Sequence, residues 1–160
     1  AVFTNWVDSQ ARYNKALDIL KGHKTVDATR IGSIGFCFGG AVSIKMAKSN
    51  ADLKGIVGFH SALPMEPAIT KNSMKAAVLI INGSEDGFLK PETVAAFSKD
   101  MFRANVDFTY MNLKGVKHSY TNPQADEFAK KFNIAALQYN KKADEQAWAA
   151  MLSFFKRIFS

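Results

Sequence analysis

The chain has 160 residues, which is enough for one folded domain and too few for two comfortable ones. Hydrophobic residues make up 48% of it and charged residues 22%, a globular composition that excludes a disordered or coiled-coil chain. The net charge is +7, but the lysines are scattered in small pairs without interleaved aromatic residues, which argues against nucleic-acid binding. The longest apolar run, residues 76–81, is far below the roughly 18 residues of a membrane span. We expect a single domain over residues 1–160 with no nucleic-acid or membrane partner.

The first half of the chain alternates between helical and strand patterns. Asn5 is placed to cap a first helix, and Gly22 is expected to end it in a left-handed conformation. The helix carries an apolar stripe that we expect to lie on a sheet, formed by Tyr13, Leu17 and Leu20. A strand over residues 30–36, a helix to about residue 49 and a second strand over residues 55–59 follow.

The second half continues the alternation after a proline-containing loop at residues 60–75. The predicted elements are a strand at 77–81, a helix from Pro91, a strand at 107–113, a short helix at 125–132 and a long helix at 143–159. The long helix has a predicted buried stripe of Trp148, Leu152, Phe155 and Phe159.

This order of elements predicts an α/β fold with a parallel sheet flanked by helices. Four consecutive parallel strands leave the first strand at an open edge, which native proteins normally cover. We therefore expect the domain to be partial, with further strands upstream of residue 1 or supplied by another chain. Self-association through this edge is the alternative that follows from the same pattern.

Residues 35–40, Gly-Phe-Cys-Phe-Gly-Gly, hold the only cysteine, Cys37, at the turn between the first strand and its helix. A nucleophile elbow has this position and spacing, with cysteine here in place of serine. The flanking Gly35, Gly39 and Gly40 are expected because side chains there would collide in so tight a turn. The N–H of Phe38, at the start of the helix, is the candidate oxyanion donor, and the helix N-terminus is expected to lower the thiol pKa.

Two further residues follow strand ends in the order of a hydrolase triad. Asp86 comes after the third predicted strand and His118 after the fourth. The carboxyl ends of parallel strands meet at one edge of the sheet, so the nucleophile, the acid and the histidine are predicted to converge. His118 would then take the Cys37 proton while Asp86 orients the ring. Phe36 and His60 are candidate substrate contacts at the same edge.

Each of these residues also has a plainer interpretation. A lone cysteine is often a buried apolar residue, and Asp86 could form a turn or cap a helix. His118 could be a surface histidine, and His60 could be a histidine whose ring is hydrogen-bonded to the backbone. Glu85 competes with Asp86 for the acid role. Three dispersed histidines and one cysteine lack the ligand spacing of a zinc site, so no metal is expected.

The segments around Cys37, Asp86 and His118 resemble the dienelactone hydrolase family, and so does the ending with Tyr139-Asn140 and Ala147-Trp148. The resemblance implies an α/β-hydrolase fold and the hydrolysis of a small ester or lactone through a thioester at Cys37, without a cofactor. It also implies that the family's earlier strands, with the second oxyanion donor, lie upstream of residue 1. The arginine that follows the catalytic histidine in the first such enzymes described is replaced here by Ser119-Tyr120-Thr121-Asn122.

Two other functions compete with this hypothesis. Glutamine amidotransferases also place a cysteine in a glycine-flanked elbow. Their second site has a His-x-Glu motif, whereas this chain has His118-Ser119-Tyr120, which counts against that class. A non-catalytic fragment or binding module that keeps the elbow fold is the other alternative. The first residues show no signal peptide and a single cysteine fits a reducing compartment, so a cytoplasmic location is expected unless an export signal lies upstream.

Overall fold

The computed structural model describes residues 5–160; residues 1–4, on which the expectation of no signal peptide partly depends, lie outside the described residues. The elements run in chain order as α1 (Trp6–Lys21), β1 (Gly32–Phe36), α2 (Phe38–Lys48), β2 (Gly55–Phe59), β3 (Ala77–Gly83), α3 (Pro91–Arg103), β4 (Phe108–Leu113), α4 (Ala125–Phe132) and α5 (Lys141–Phe159). The predicted alternation of helices and strands is confirmed. Across residues 5–160, no helix combines the length and apolarity needed to cross a membrane.

The four strands form one sheet in the order β1-β2-β3-β4, and every neighbouring pair is parallel. Phe36 at the end of β1 lies opposite Phe59, which lies opposite Ile81 of β3. The loops after the strands therefore all leave the sheet at the carboxyl-terminal ends of the strands. This arrangement confirms the predicted parallel sheet flanked by helices, with β1 at an outer edge of the sheet formed by residues 5–160.

Two apolar clusters cover the two faces of the sheet, and β3 contributes to both. Val78 and Ile80 point into a cluster with residues of α2 and α3, whereas Leu79 and Ile81 point into a cluster with residues of α5. Successive side chains of a strand point to opposite faces, so a strand that is covered on both sides needs apolar residues throughout. This is why β2 and β3 read as unalternated apolar runs.

Two expectations about α1 are wrong. Gly22 has a φ of −77°, in the right-handed region, because its N–H still donates to the carbonyl of Asp18 and continues the helical turn. Leu20 is 43% exposed, whereas Tyr13 and Leu17 pack against the apolar cluster beside α2 and α3. The helix contacts α2, and its stripe packs against the apolar cluster only at Tyr13 and Leu17.

The buried face of α5 also differs from the prediction. Trp148 and Leu152 are half exposed, whereas Phe155 packs against the apolar cluster beside α5 and Phe159 lies next to Gly32 of β1, as predicted. The fully buried face of the helix is formed by Ala143, Ala147, Met151 and Phe154. Both sets follow the helical period, so periodicity alone does not separate them. The observed face begins with two alanines, which pack in the cluster with residues of β2 and β3, while Trp148 stays half exposed.

Lys48 of α2 fixes the loop that follows β2. Its side chain is fully buried, and its ammonium group lies 3.1 Å from a carboxylate oxygen of Asp100 and 3.3 Å from the carbonyl oxygen of Pro64. It also donates to the carbonyl of Met65. A buried ammonium group persists only where several oxygens replace its water, so this contact set holds the loop against α2 and α3.

Candidate active site

Cys37 occupies a strained turn between β1 and α2. Its φ of +51° and ψ of −116° lie in a region that residues with a side chain rarely adopt, at a cost on the order of 1–3 kcal/mol. The turn is held because the N–H of Cys37 donates to the carbonyl of Phe59 at 3.0 Å and its own carbonyl accepts from Ala41 in α2 at 3.3 Å. The side chain is exposed at the edge of the sheet where the loops emerge.

The three glycines of the turn are not equivalent. A Cβ on Gly35 would lie 2.3 Å from backbone atoms of Gly39 and Gly40, and a Cβ on Gly40 would lie 2.4 Å from the hydroxyl oxygen of Ser61. A Cβ on Gly39 would meet no atom within 4 Å. The expected collision is therefore confirmed at Gly35 and Gly40 and is wrong at Gly39, because that residue faces open space on the first turn of α2.

Asp86 and His118 meet as a buried pair. The Nδ1 atom of His118 lies 2.7 Å from Oδ2 of Asp86, while Oδ1 of Asp86 accepts from the N–H of Phe88 at 3.0 Å. Both side chains are almost fully inaccessible to solvent. Glu85, the competing acid, is exposed. The structure thus places Asp86, and not Glu85, on the histidine.

Hydrogen bonding shifts the pKa values of both His118 and Cys37. Burial works to lower the pKa of His118, but the hydrogen bonds with Asp86 and Cys37 outweigh it and raise that pKa to about 9. The pKa of Cys37 is lowered, first by the hydrogen bond with His118 and against the effect of burial, with help from the N–H of Phe38. Both shifts favour a thiolate facing an imidazolium.

These side chains border a cavity of about 250 Å³. Cys37, Asp86 and His118 line it together with His60, Ser61, Ala62, Phe88 and Leu89. Phe36, the other candidate substrate contact, lies beside the site, where it is 44% exposed and stacks on Phe59 with ring centroids 4.9 Å apart. Within residues 5–160, no three histidine, cysteine or acidic side chains gather in a way that would hold a metal ion.

Several residues that shape the cavity are not among the site residues predicted from the sequence. Asn82 at the end of β3 is fully buried and pairs with the backbone of Ser61, whose N–H donates to Oδ1 at 2.8 Å and whose carbonyl accepts from Nδ2 at 2.9 Å. Its sequence signal was a lone amide at the end of an otherwise apolar strand. Phe88 and Thr121 had no such signal, because ring contacts and long-range hydrogen bonds leave no trace in local spacing.

The strand order and the elbow define an α/β-hydrolase. The dienelactone hydrolase family matches residues 4–159, and the chain belongs to that family. It is similar to the solved structure of a dienelactone hydrolase-like promiscuous phosphotriesterase from metagenomic libraries, with a TM-score of 0.89, 31% identity and coverage of 98% of this chain and 64% of that one.

Two further relatives show the same similarity. A solved protein designated m3DLH has a TM-score of 0.88 and 33% identity over 99% of this chain and 65% of that one. An uncharacterized protein of Caenorhabditis elegans is 29% identical over 93% of both chains. The chain therefore spans less than two thirds of each solved relative and nearly all of the nematode protein.

The unequal glycines give a paired test of the elbow geometry. We expect Gly35→Ala to destabilise the fold by at least about 2 kcal/mol, because a Cβ there meets rigid backbone. Gly39→Ala should leave the free energy of unfolding unchanged or raise it by up to about 1 kcal/mol, since alanine favours the helix. Urea unfolding of both variants measures this, and equal destabilisation would contradict the described turn.

The pKa values of the two buried histidines should be shifted in opposite directions from the usual value of about 6.5. Burial first, and then the charge of His118, lowers the pKa of His60 to about 4, so His60 should stay neutral as the pH falls through 6.5. His118 should stay protonated until about pH 9. Its contribution to stability is therefore complete below 6.5 and lost as the pH rises through 9, whereas that of His60 is lost as the pH falls from 6.5 through 4.

Nuclear magnetic resonance of the imidazole side chains measures both midpoints, with the exposed His23 as the third signal. Single replacements of each histidine by glutamine assign the signals. Two midpoints near 6.5 for His60 and His118 would contradict the described environment of the pair.

Proposed function

We propose that the protein hydrolyses small esters or lactones through a thioester at Cys37. The observation that carries the proposal is the 2.7 Å hydrogen bond between His118 and Asp86 at the wall of a cavity that Cys37 also lines. Hydrogen bonding with His118 lowers the pKa of the Cys37 thiol in this arrangement. A nucleophile, a base and an orienting acid in contact are the arrangement that acyl transfer requires. Membership of the dienelactone hydrolase family supports the same class of substrate.

In the first half of the reaction, His118 holds the proton of Cys37 and the thiolate attacks the carbonyl carbon of the substrate. The carbonyl electrons move onto oxygen, where the N–H of Phe38 at the start of α2 is placed to donate to the oxyanion. The tetrahedral intermediate collapses as His118 gives its proton to the departing alkoxide. The products of this half are an alcohol and a thioester on Cys37.

In the second half, water takes the place of the alcohol. His118 removes a proton from the water, which attacks the thioester carbonyl, and the second tetrahedral intermediate expels the Cys37 thiolate. The proton on His118 restores the resting pair and the acid product leaves. Asp86 keeps Nδ1 protonated throughout and stabilises the charged ring, so that Nε2 is the atom that exchanges protons.

The cavity supports a small acyl group. Its volume of about 250 Å³ is below the usual range of drug-sized sites, and Ala62, Phe88 and Leu89 give its wall an apolar character away from the reacting groups. A compact ester or lactone fits these dimensions better than a long-chain lipid.

A neutral phosphotriester is the second candidate substrate. The observation that favours it is the similarity, at 31% identity, to a dienelactone hydrolase-like promiscuous phosphotriesterase. In that reaction the Cys37 thiolate would attack phosphorus and expel an aryloxide or alkoxide, which takes the proton of His118, while the N–H of Phe38 donates to the phosphoryl oxygen. Water deprotonated by His118 would then attack phosphorus and expel the thiolate. Hydrolysis of paraoxon by the wild type, lost in Cys37→Ala, would establish this activity beside the first.

Replacement of the triad residues tests the main proposal. We expect Cys37→Ala to reduce hydrolysis of p-nitrophenyl acetate to the uncatalysed rate, because no other thiol exists in the chain. Asp86→Asn should lower kcat by about 10²–10⁴, because the amide stabilises the wrong ring tautomer and carries no charge. Initial rates followed by nitrophenolate absorbance measure both effects.

The neighbouring carboxylate provides the matched control. Glu85→Gln removes an exposed negative charge one residue from Asp86 and should leave the rate within twofold of the wild type. Retained turnover in Cys37→Ala would refute the thioester. An inactive wild type whose Cys37 is alkylated only near the ordinary thiol pKa of about 8.5 would favour the binding-module alternative.

A further inference from the structure

His60 occupies an unusual backbone position at the wall of the site. It follows the last residue of β2 directly and has a φ of +36°, which a residue with a side chain adopts only when its surroundings enforce it. Its N–H donates to the carbonyl of Ile81 in β3 at 2.9 Å, so the turn is fixed to the sheet. The next residue, Ser61, is clamped by the buried amide of Asn82. The backbone therefore aims this side chain in one direction.

The ring of His60 packs on the segment that carries His118. The two imidazole centroids are 4.8 Å apart with the planes inclined at 65°, and the ring of Tyr120 lies 5.4 Å away at 84°. Its Nε2 atom lies 2.9 Å from Oγ1 of Thr121. One side chain thus joins the end of β2 to three of the four residues from 118 to 121, both by ring contacts and by a hydrogen bond.

The segment that His60 contacts is itself a tight turn. Ser119 has a φ of +60°, and the hydroxyl of Tyr120 donates to the carbonyl of Ile81 at 2.9 Å. His118 is bonded through its backbone to the segment before α5, with its N–H on Ala136 at 3.0 Å and its carbonyl on Gln138 at 3.1 Å. These contacts fix the main chain, whereas the χ angles of His118 depend on the hydrogen bond with Asp86 and on the rings of His60 and Phe88.

The surroundings of His60 keep its ring neutral. It is 4% exposed, and its Nδ1 atom is buried with no hydrogen-bond partner outside its own residue. An imidazolium has two N–H donors, and here only Nε2 has an acceptor. The titratable groups that face it are His118, Asp86 and Tyr120, and the positive charge on His118 opposes a second one. A neutral ring can pack on the charged His118 without repelling it.

We infer that His60, tethered by Thr121, is a positioning residue that holds the ring of His118 in line between Cys37 and Asp86. Its Nδ1 atom is buried and makes no hydrogen bond, and its Nε2 atom is engaged by Thr121. It therefore acts through His118 and not on the substrate. The inference rests on the proposed function, since it assigns a role within the same triad.

The tether is tested with two variants that remove it from either end. His60→Phe keeps a ring of similar size and loses the bond to Thr121, and Thr121→Val keeps the side-chain shape and loses the hydroxyl. Each should lower kcat for p-nitrophenyl acetate by about five- to tenfold, the equivalent of one lost hydrogen bond, with KM within twofold. The double variant should be no slower than the slower single one, because both remove the same contact.

A second readout is independent of turnover. The rate of Cys37 alkylation by iodoacetamide, measured against pH, reports how well the imidazolium faces the thiol. We expect its midpoint to move up toward that of a free thiol in both variants, because a less ordered His118 ring stabilises the thiolate less. Thr109→Val is the matched control: it is the same substitution at an exposed position of β4 and should leave both readouts unchanged.

The outcomes separate this inference from the proposed function. A raised KM with unchanged kcat would make His60 a substrate contact and overturn the positioning role, as would additive losses in the double variant or an unmoved alkylation midpoint. If one variant fails to fold, the other decides. An ordinary thiol midpoint in the wild type would overturn the proposed function and this inference together, whereas an activated wild-type thiol with unmoved variants overturns the inference alone.

Discussion

The hydrogen bond of 2.7 Å between Asp86 and His118 is the contact on which the arrangement of the site depends. It connects the loop after β3 with the loop after β4, and it compensates the burial of both side chains. It also fixes Nδ1 of the ring as the protonated atom that faces the acid, which leaves the opposite nitrogen for Cys37. The hydrogen bond and the charge of His118, which lower the pKa of the thiol, therefore depend on a pairing between the loops after β3 and β4, whereas Cys37 follows β1.

The parallel sheet brings the loops of that pair to the same end of the sheet as the turn that carries Cys37. Because β1, β2 and β3 are in register, the turn at Cys37 and the turn at His60 leave the sheet side by side. Both turns have a positive φ at a residue with a side chain. The N–H of Cys37 donates to the carbonyl of Phe59 in β2, and the N–H of His60 donates to the carbonyl of Ile81 in β3. Strain of this kind persists where the surrounding structure enforces it, and here it directs a thiol and an imidazole toward His118.

The fold and the three triad candidates could be predicted from local patterns, because buried strands, glycine-flanked turns and residues after strand ends leave short-range signals. The errors concern choices that only packing settles. The period of α5 fits both the Trp148 face and the Met151 face, and packing against β2 and β3 selects the second. Gly39 shares the elbow pattern with Gly35 but not its crowding. The contacts of His60 with residues 118–121 join segments about sixty positions apart, a relation that no spacing rule contains.

The proposed reaction requires that Cys37 becomes covalently acylated. The most direct measurement is intact-mass analysis after the protein is mixed with p-nitrophenyl acetate and quenched with acid in the pre-steady state, followed by peptide mapping. We expect a transient increase by the mass of one acetyl group, located on Cys37, that decays as acetate is released and does not form in Cys37→Ala. Turnover without an adduct on Cys37, or an adduct on another side chain that persists in Cys37→Ala, would contradict it.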